Sequence, residues 1–291
     1  MFKQIAIIGT TASGKTDLAI QVALKTNAVI LSLDSLCIYK EINIASAKPT
    51  SDEMRGVRHF GVDVISINDD FSAGKFFELY NEAKMHALNA NCALIITGGS
   101  GFYLKAMLNG LSPDVPKCQD VPSNDEIFAM VCKIDPDFSQ KFSQNDTYRL
   151  EKWYQIYSHT NQIPSLWLKQ NTAKPIIDEI EIFEICWDVS KIRDRIAKRT
   201  QNMIKSGLID EAKFLFSNFN NDLKPLKSIG LKECKEFLDE KISINELQTL
   251  ITTHTAQLAK RQRTFNRSAF LNKKSANIDE IYKLSLEALK P

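Results

Sequence analysis

Gly9-Thr10-Thr11-Ala12-Ser13-Gly14-Lys15-Thr16 fits the pattern G-x-x-x-x-G-K-[ST], residue types and spacing suited to holding phosphate. Gly9 and Gly14 permit backbone angles that turn successive N–H groups towards phosphate oxygens; Lys15 adds a full charge and Thr16 a hydroxyl for Mg²⁺. A helix beginning near Lys15 contributes the positive end of its dipole. A glycine-rich turn with a chance lysine is the plainer alternative, but it leaves unexplained the apolar run before the loop and the helical pattern after it. The loop leaves open which molecule owns the phosphates. A nucleoside triphosphate and a prenyl pyrophosphate both present a diphosphate of the right size.

Asp34 is the second residue with chemical potential. It comes directly after the apolar run Ala28 to Leu33, so in a parallel sheet it emerges at the carboxyl edge, beside the loop. There a carboxylate can take a proton from a nucleophile or reach a hydrated Mg²⁺. An Asx turn or helix cap with Ser35 is the bland reading, and it is compatible with the other two. The run Ala93 to Thr97 ends in Gly98-Gly99-Ser100 rather than in an acid, which argues against a motor-type nucleotide hydrolase.

These residues need a scaffold, and the apolar patterning supplies one. Ile5 to Ile8, Ala28 to Leu33 and Ala93 to Thr97 read as fully buried strands, with helical patterns over Thr16 to Lys25 and Lys75 to Asn89. That alternation predicts an α/β fold, a P-loop NTPase-like parallel sheet core covered on both faces. Pro113, Pro116 and Pro122 mark a linker, and helical patterns without strands run from Asn124 to Asp178. Glu181 to Val189 reads as a further strand and Ser190 to Ser206 as a helix ending at Gly207. A last long helix starts at Ser243, where Ser243 and Glu246 have capping-box spacing, and runs towards Phe270. The expected organisation is a core over 1–111 and 181–291, interrupted by a helical insert over 112–180.

Composition narrows the class. At 291 residues, with 44% hydrophobic and 25% charged residues, the chain reads as a soluble globular protein. The opening apolar run is too short for a signal peptide or membrane span, so a cytoplasmic location and no membrane association are expected. No two of the six cysteines stand closer than fourteen positions, which predicts reduced, mostly buried thiols and no zinc site. The four histidines are equally scattered. Net charge is only +2, so attraction to a polyanion depends on where charges sit. Between Glu246 and Asp279 there is no acid, while Lys260, Arg261, Arg263, Arg267, Lys273 and Lys274 gather there. That is the footprint of a phosphate-binding face, or of an ordinary solvated one.

Taken together, several stretches resemble the tRNA dimethylallyltransferase (tRNA isopentenyltransferase) family. Beside the P-loop, Leu33-Asp34-Ser35-Leu36-Cys37-Ile38-Tyr39-Lys40 resembles its Asp-Ser segment and Ala45-Ser46-Ala47-Lys48-Pro49 its Gly-Thr-Ala-Lys-Pro. Gly98-Gly99-Ser100-Gly101-Phe102-Tyr103 is similar to its Gly-Gly-Thr-Gly-Leu-Tyr, and Asn145-Asp146-Thr147-Tyr148-Arg149 to its Asn-Asp-x-x-Arg. Gln257-Leu258-Ala259-Lys260-Arg261-Gln262-Arg263-Thr264-Phe265 is similar to its Gln-Leu-Ala-Lys-Arg-Gln-x-Thr-Trp.

The resemblance implies transfer of a dimethylallyl group from dimethylallyl pyrophosphate to the N6 amine of the adenosine 3′ of the anticodon. It implies Asp34, Lys15 and Thr16 as catalytic residues, Gly9 to Thr16 as the pyrophosphate loop and Mg²⁺ on Thr16 as cofactor. It further implies contacts to the tRNA anticodon stem-loop from Asp34, Ser35, Leu36, Cys37, Ser100, Arg149, Lys260, Arg261 and Gln262. No obligate protein partner is expected. Two other readings fit parts of the chain: a P-loop small-molecule or nucleoside kinase, and a non-catalytic RNA-binding protein using its loop as a nucleotide switch.

Overall fold

A computed structural model describes residues 2–290. Its sheet has six strands: β1 (Gln4–Gly9), β2 (Ala28–Ser32), β3 (His59–Phe60), β4 (Ala93–Gly98), β5 (Glu181–Ile185) and β6 (Lys274–Ala276). All paired strands are parallel and the spatial order is β3-β2-β4-β1-β5-β6. The expected parallel α/β sheet is therefore present. β1, β2 and β4 are almost continuously apolar because helices cover both faces and no strand side meets water. In register, Ile8 of β1 lies opposite Gly98 of β4, and Ser32 of β2 opposite Thr97, so the carboxyl ends align along one edge.

The helices are α1 (Lys15–Thr26), α2 (Ser51–Met54), α3 (Ala73–Asn89), α4 (Gly101–Asn109), α5 (Asn124–Ile134), α6 (Pro136–Ser139) and α7 (Thr147–Thr160). They continue as α8 (Pro164–Asn171), α9 (Val189–Lys205), α10 (Leu208–Asn218), α11 (Leu231–Leu238), α12 (Ile244–Ala269) and α13 (Ile278–Ala288). α1 presents Leu18, Ala19, Val22 and Ala23 to Ile5, Ile7 and Ile30 of the sheet, and α13 joins that layer through Ile281, with Leu289 just past its end. α12 opens as its sequence dictates. Ser243 Oγ accepts from Glu246 N at 3.3 Å, and Glu246 Oε2 accepts from Ser243 N at 2.7 Å.

Three differences from the sequence reading have physical causes. The fifth strand stops at Ile185 rather than Val189, because Trp187 leaves the sheet to donate its indole N–H to Ser13 O at 2.9 Å. β3 and β6 carry no readable period, being two and three residues long, and α13 (Ile278–Ala288) is a further helix, capped by Asn277, beyond the last one read from the sequence. Only Cys37 and Cys234 are buried, whereas Cys132 and Cys186 are exposed, so burial of most thiols does not hold.

The chain divides into two compact units, one of residues 1–105 and 177–291 and the other Ala106–Ile176. The smaller begins before the proline-rich linker because its ends are tied together: Ile176 N donates to Met107 O at 3.0 Å and Ala173 N to Leu111 O at 2.9 Å. Within it, Ile127, Val131, Phe138, Leu150 and Trp153 form a core. Buried Asp135 serves three donors there, Trp153 Nε1 and Ser165 N, each at 2.9 Å, and Ser165 Oγ at 2.7 Å.

One contact in the larger unit positions the site directly. Glu211 of α10 accepts the backbone N–H groups of Asn43, Ile44 and Ala45 at 2.9, 2.8 and 2.9 Å, pinning the segment that carries Ser46. Glu211→Ala is expected to lower folding stability by about 2 kcal/mol, as three amides lose a charged acceptor. Urea unfolding with an unchanged m value is the check; a midpoint identical to wild type would remove this contact from the stabilising set.

Among the described residues, no helix is long and apolar enough to cross a membrane.

Candidate active site

The Gly9–Thr16 loop turns between β1 and α1 at the carboxyl edge of the sheet. Ala12 (φ 62°) and Gly14 (φ 91°) are both left-handed, which curls the loop into a concave nest of N–H groups. A side chain at Gly9 would put Cβ 2.8 Å from Ser13 Oγ, so glycine is what lets the loop fold onto its own strand. The N–H groups of Lys15 and Thr16 open α1 and have no acceptor within the helix. These donors face outward at the carboxyl edge, an arrangement suited to an anion.

Contacts from distant parts of the same unit brace the loop. Trp187 holds Ser13 O, Arg195 Nε donates to Ala12 O at 2.7 Å, and the Arg195 guanidinium lies 4.9 Å from the Trp187 ring centroid. Gln262 Oε1 accepts the Thr11 N–H at 2.7 Å. Arg199 Nη1 donates to Thr11 Oγ1 at 3.4 Å. Sequence alone leaves Arg195 and Arg199 divided between pyrophosphate and solvent. In the structure Arg199 is half-buried against the loop, and burial lowers its pKa from the usual arginine value.

Lys15 Nζ donates to Thr10 O at 3.1 Å. Burial lowers its pKa to about 8, with Asp34 pulling the other way and Arg199 adding repulsion. Two cations thus crowd a desolvated spot that contains a single nearby carboxylate. Any anion brought between the two cations would relieve that repulsion.

Asp34 stands just beyond β2. Its Oδ1 accepts from Leu36 N at 2.9 Å and Cys37 N at 3.3 Å, the Asx turn of the bland reading. That turn fixes the carboxylate without removing it from the crevice. Asp34 lines two adjoining cavities, one of about 100 Å³ shared with Lys15, Thr16 and Cys37, the other of about 660 Å³ lined by Ser35, Leu36, Ser100 and Arg261. A third cavity of about 630 Å³ reaches Lys15 and Thr16 from the other side of the loop, past Lys48 and Lys198. The loop therefore borders open space in two directions, with Asp34 on the side of the 660 Å³ cavity.

The other residues singled out from sequence take varied positions. Cys37 is buried and lines only the small cavity; burial first, then Asp34, raises its thiol pKa well above the ordinary value, so it stays protonated. Lys260 and Arg261 are exposed on α12, and Arg261 borders the large cavity. Gln262 turns inward to the loop. Lys273 and Lys274 do not extend the basic face of α12: their Nζ atoms lie 3.7 Å from Glu184 and 2.5 Å from Glu181. Arg149, in the smaller unit, is exposed, paired with Asp146, and holds its guanidinium 4.8 Å from the Phe142 ring centroid.

His59 carries no sequence signal beyond being one of four scattered histidines, yet it lines the small cavity. Its Nδ1 lies 2.8 Å from Val57 O, so Nδ1 carries the proton; Nε2 has no partner among the described residues and is left as an acceptor. A two-residue strand offers no local pattern that would place it.

Fold and site define a P-loop α/β protein with a carboxylate, Asp34, at the strand edge beside the loop. The chain belongs to the IPP transferase family, whose profile matches residues 37–269. The tRNA dimethylallyltransferase of Campylobacter concisus (strain 13826) is 64% identical over 273 residues, 94% of each chain. The crystal structure of the full-length tRNA isopentenylpyrophosphate transferase of Bacillus halodurans superposes with a TM-score of 0.74 at 25% identity, covering 99% of this chain and 97% of that one. A eukaryotic dimethylallyltransferase described as acting on tRNA shares the fold, with a TM-score of 0.76 at 23% identity over 95% of this chain and 74% of that one.

Proposed function

We propose that this chain transfers the dimethylallyl group of dimethylallyl pyrophosphate to the exocyclic N6 amine of the adenosine 3′ of the anticodon in tRNA, releasing pyrophosphate. The observation that carries the reading is the position of Asp34, on the wall between the phosphate seat and the 660 Å³ cavity. Membership of the family favours this reading over a kinase or a passive RNA binder.

The diphosphate would sit on the loop amides and Lys15, with Arg199 closing over it and the allylic carbon turned towards Asp34. The adenine amine is a weak nucleophile because its lone pair is delocalised into the ring. Asp34 accepts an amine proton as the new C–N bond forms and the C–O bond to pyrophosphate breaks. Loop amides and Lys15 stabilise the negative charge that gathers on the leaving group. The base must leave its stack to reach this space, and Ser35, Leu36 and Ser100 are placed to line its pocket. Lys260 and Arg261 on α12 and Arg149 on the smaller unit are the cations assigned to RNA phosphates.

Among the described residues there is no cluster of three or more metal-ligating side chains. The site nevertheless suits Mg²⁺, which takes few protein ligands and keeps water and phosphate oxygens around it. The Thr16 hydroxyl and the Asp34 carboxylate share the small polar cavity with the unpartnered His59. Thr16 would hold the ion directly, Asp34 through water. When bound, Mg²⁺ neutralises charge on the departing pyrophosphate.

The test is transfer of label from dimethylallyl pyrophosphate to an unmodified tRNA transcript by purified protein with Mg²⁺. Transfer that disappears when the target adenosine is replaced by guanosine is the expected result. Label moving instead from ATP to a small metabolite, or RNA retention without chemistry, would overturn the proposal.

A further inference from the structure

Besides the packing of Ala256 and Ala259 near Ala12, the basic helix reaches the phosphate loop through the hydrogen-bonding side chain of Gln262. Gln262 Oε1 accepts the Thr11 N–H at 2.7 Å while its Nε2 donates to Gly99 O at 2.9 Å. The amide thus spans the phosphate loop and the turn after β4, which carries Ser100 on the large-cavity side. The approach is close enough to exclude a side chain at positions 99 and 101 of the turn. A Cβ at Gly99 would lie 2.7 Å from Gln262 Nε2, and one at Gly101 would lie 2.7 Å from Asn266 Oδ1 and 3.0 Å from the Phe265 ring. Residues 262, 265 and 266 form one helical face. That face is pressed onto the backbone of the Gly99–Gly101 turn. Lys260, Arg261, Arg263 and Arg267 on the same helix are exposed.

We infer that Gln262 is a positioning residue of the phosphate loop rather than an RNA contact, and that it couples seating of RNA on α12 to the hold on pyrophosphate. The inference rests on the transferase reading above. Thr11 is held twice, its N–H by Gln262 and its hydroxyl by Arg199. The loop geometry that receives the diphosphate is therefore referred to α12 through Gln262 and to α9 through Arg199. Ligands that each favour the same placement of α12 against the loop must strengthen one another reciprocally.

Gln262→Met keeps the stem and volume but can make neither hydrogen bond. Binding of inorganic pyrophosphate with Mg²⁺ is titrated calorimetrically, with and without an unmodified tRNA transcript, and transfer is followed at saturating RNA. In the wild type, RNA should tighten pyrophosphate about tenfold, within the usual range of coupling between sites. In Gln262→Met that factor should fall to about one and kcat should drop about thirtyfold, matching the cost of leaving a buried amide unpaired. Its RNA affinity should stay within about twofold of wild type, whereas Arg261→Ala should lose RNA affinity with the coupling factor intact. Weakened RNA binding by Gln262→Met with coupling preserved would make Gln262 an RNA contact and overturn the inference. So would an unchanged variant, or an uncoupled wild type. Absence of prenyl transfer by the wild type would instead count against the transferase reading.

Discussion

Asp34→Asn is expected to slow prenyl transfer about a thousandfold while leaving affinity for tRNA within a few fold, because it removes the proton acceptor and the carboxylate charge while keeping the side chain's shape. The substitution is clean for a structural reason. Asp34 Oδ1 accepts from Leu36 N and Cys37 N, and the amide oxygen of asparagine can accept both. The Asx turn should survive and the side chain should keep its place on the cavity wall. Asp34→Ala removes the turn as well, so its larger loss would mix catalysis with geometry. Single-turnover transfer to an unmodified tRNA, with RNA binding measured separately, distinguishes these contributions. An asparagine variant working within tenfold of wild type would deny Asp34 the role of base.

The parts of this site that are legible in the sequence are those made by neighbours in the chain. The loop can be read because its glycines, lysine and threonine lie between an apolar run and a helical period. Asp34 can be read because β2 ends at Ser32 and a parallel strand delivers the next residues to the ligand edge. The start of α12 is visible in Ser243 and Glu246, since a capping box is a contact between residues three apart. The hidden parts join residues far apart. Trp187 reaches Ser13, Gln262 reaches Thr11, and His59 enters the small cavity from a strand too short to show a period. Arg199 illustrates the limit from the other direction. Its helix has a clear apolar face carrying Ile192 and Ile196, but a cation at that face's border can point either way until the loop is placed beside it. The basic tail divides on the same grounds, because only the fold shows that Lys273 and Lys274 turn back to acids of β5.

Lys15→Met is the second large effect, and its interest lies in two measurements that should move differently. The ammonium faces the seat built by the loop amides, so its loss should reduce kcat/KM for dimethylallyl pyrophosphate about a thousandfold, the scale found when one donor to a developing anion is removed. Stability should not change in parallel. The pKa of Lys15 lies at about 8 in the folded protein, below the ordinary 10.5, and burial is the leading cause. The sign is informative. A folded-state value below the unfolded one means that the fold disfavours the protonated form, so at neutral pH the charge destabilises the empty site. Methionine fills similar space without that cost, forfeiting, among the described residues, the hydrogen bond to Thr10 O and the attraction of Asp34. The variant should therefore unfold in urea at or above the wild-type midpoint while being nearly inactive. Equal losses of stability and activity would instead assign Lys15 to the scaffold, and the crowding of Lys15 and Arg199 would no longer mark a seat prepared for an anion.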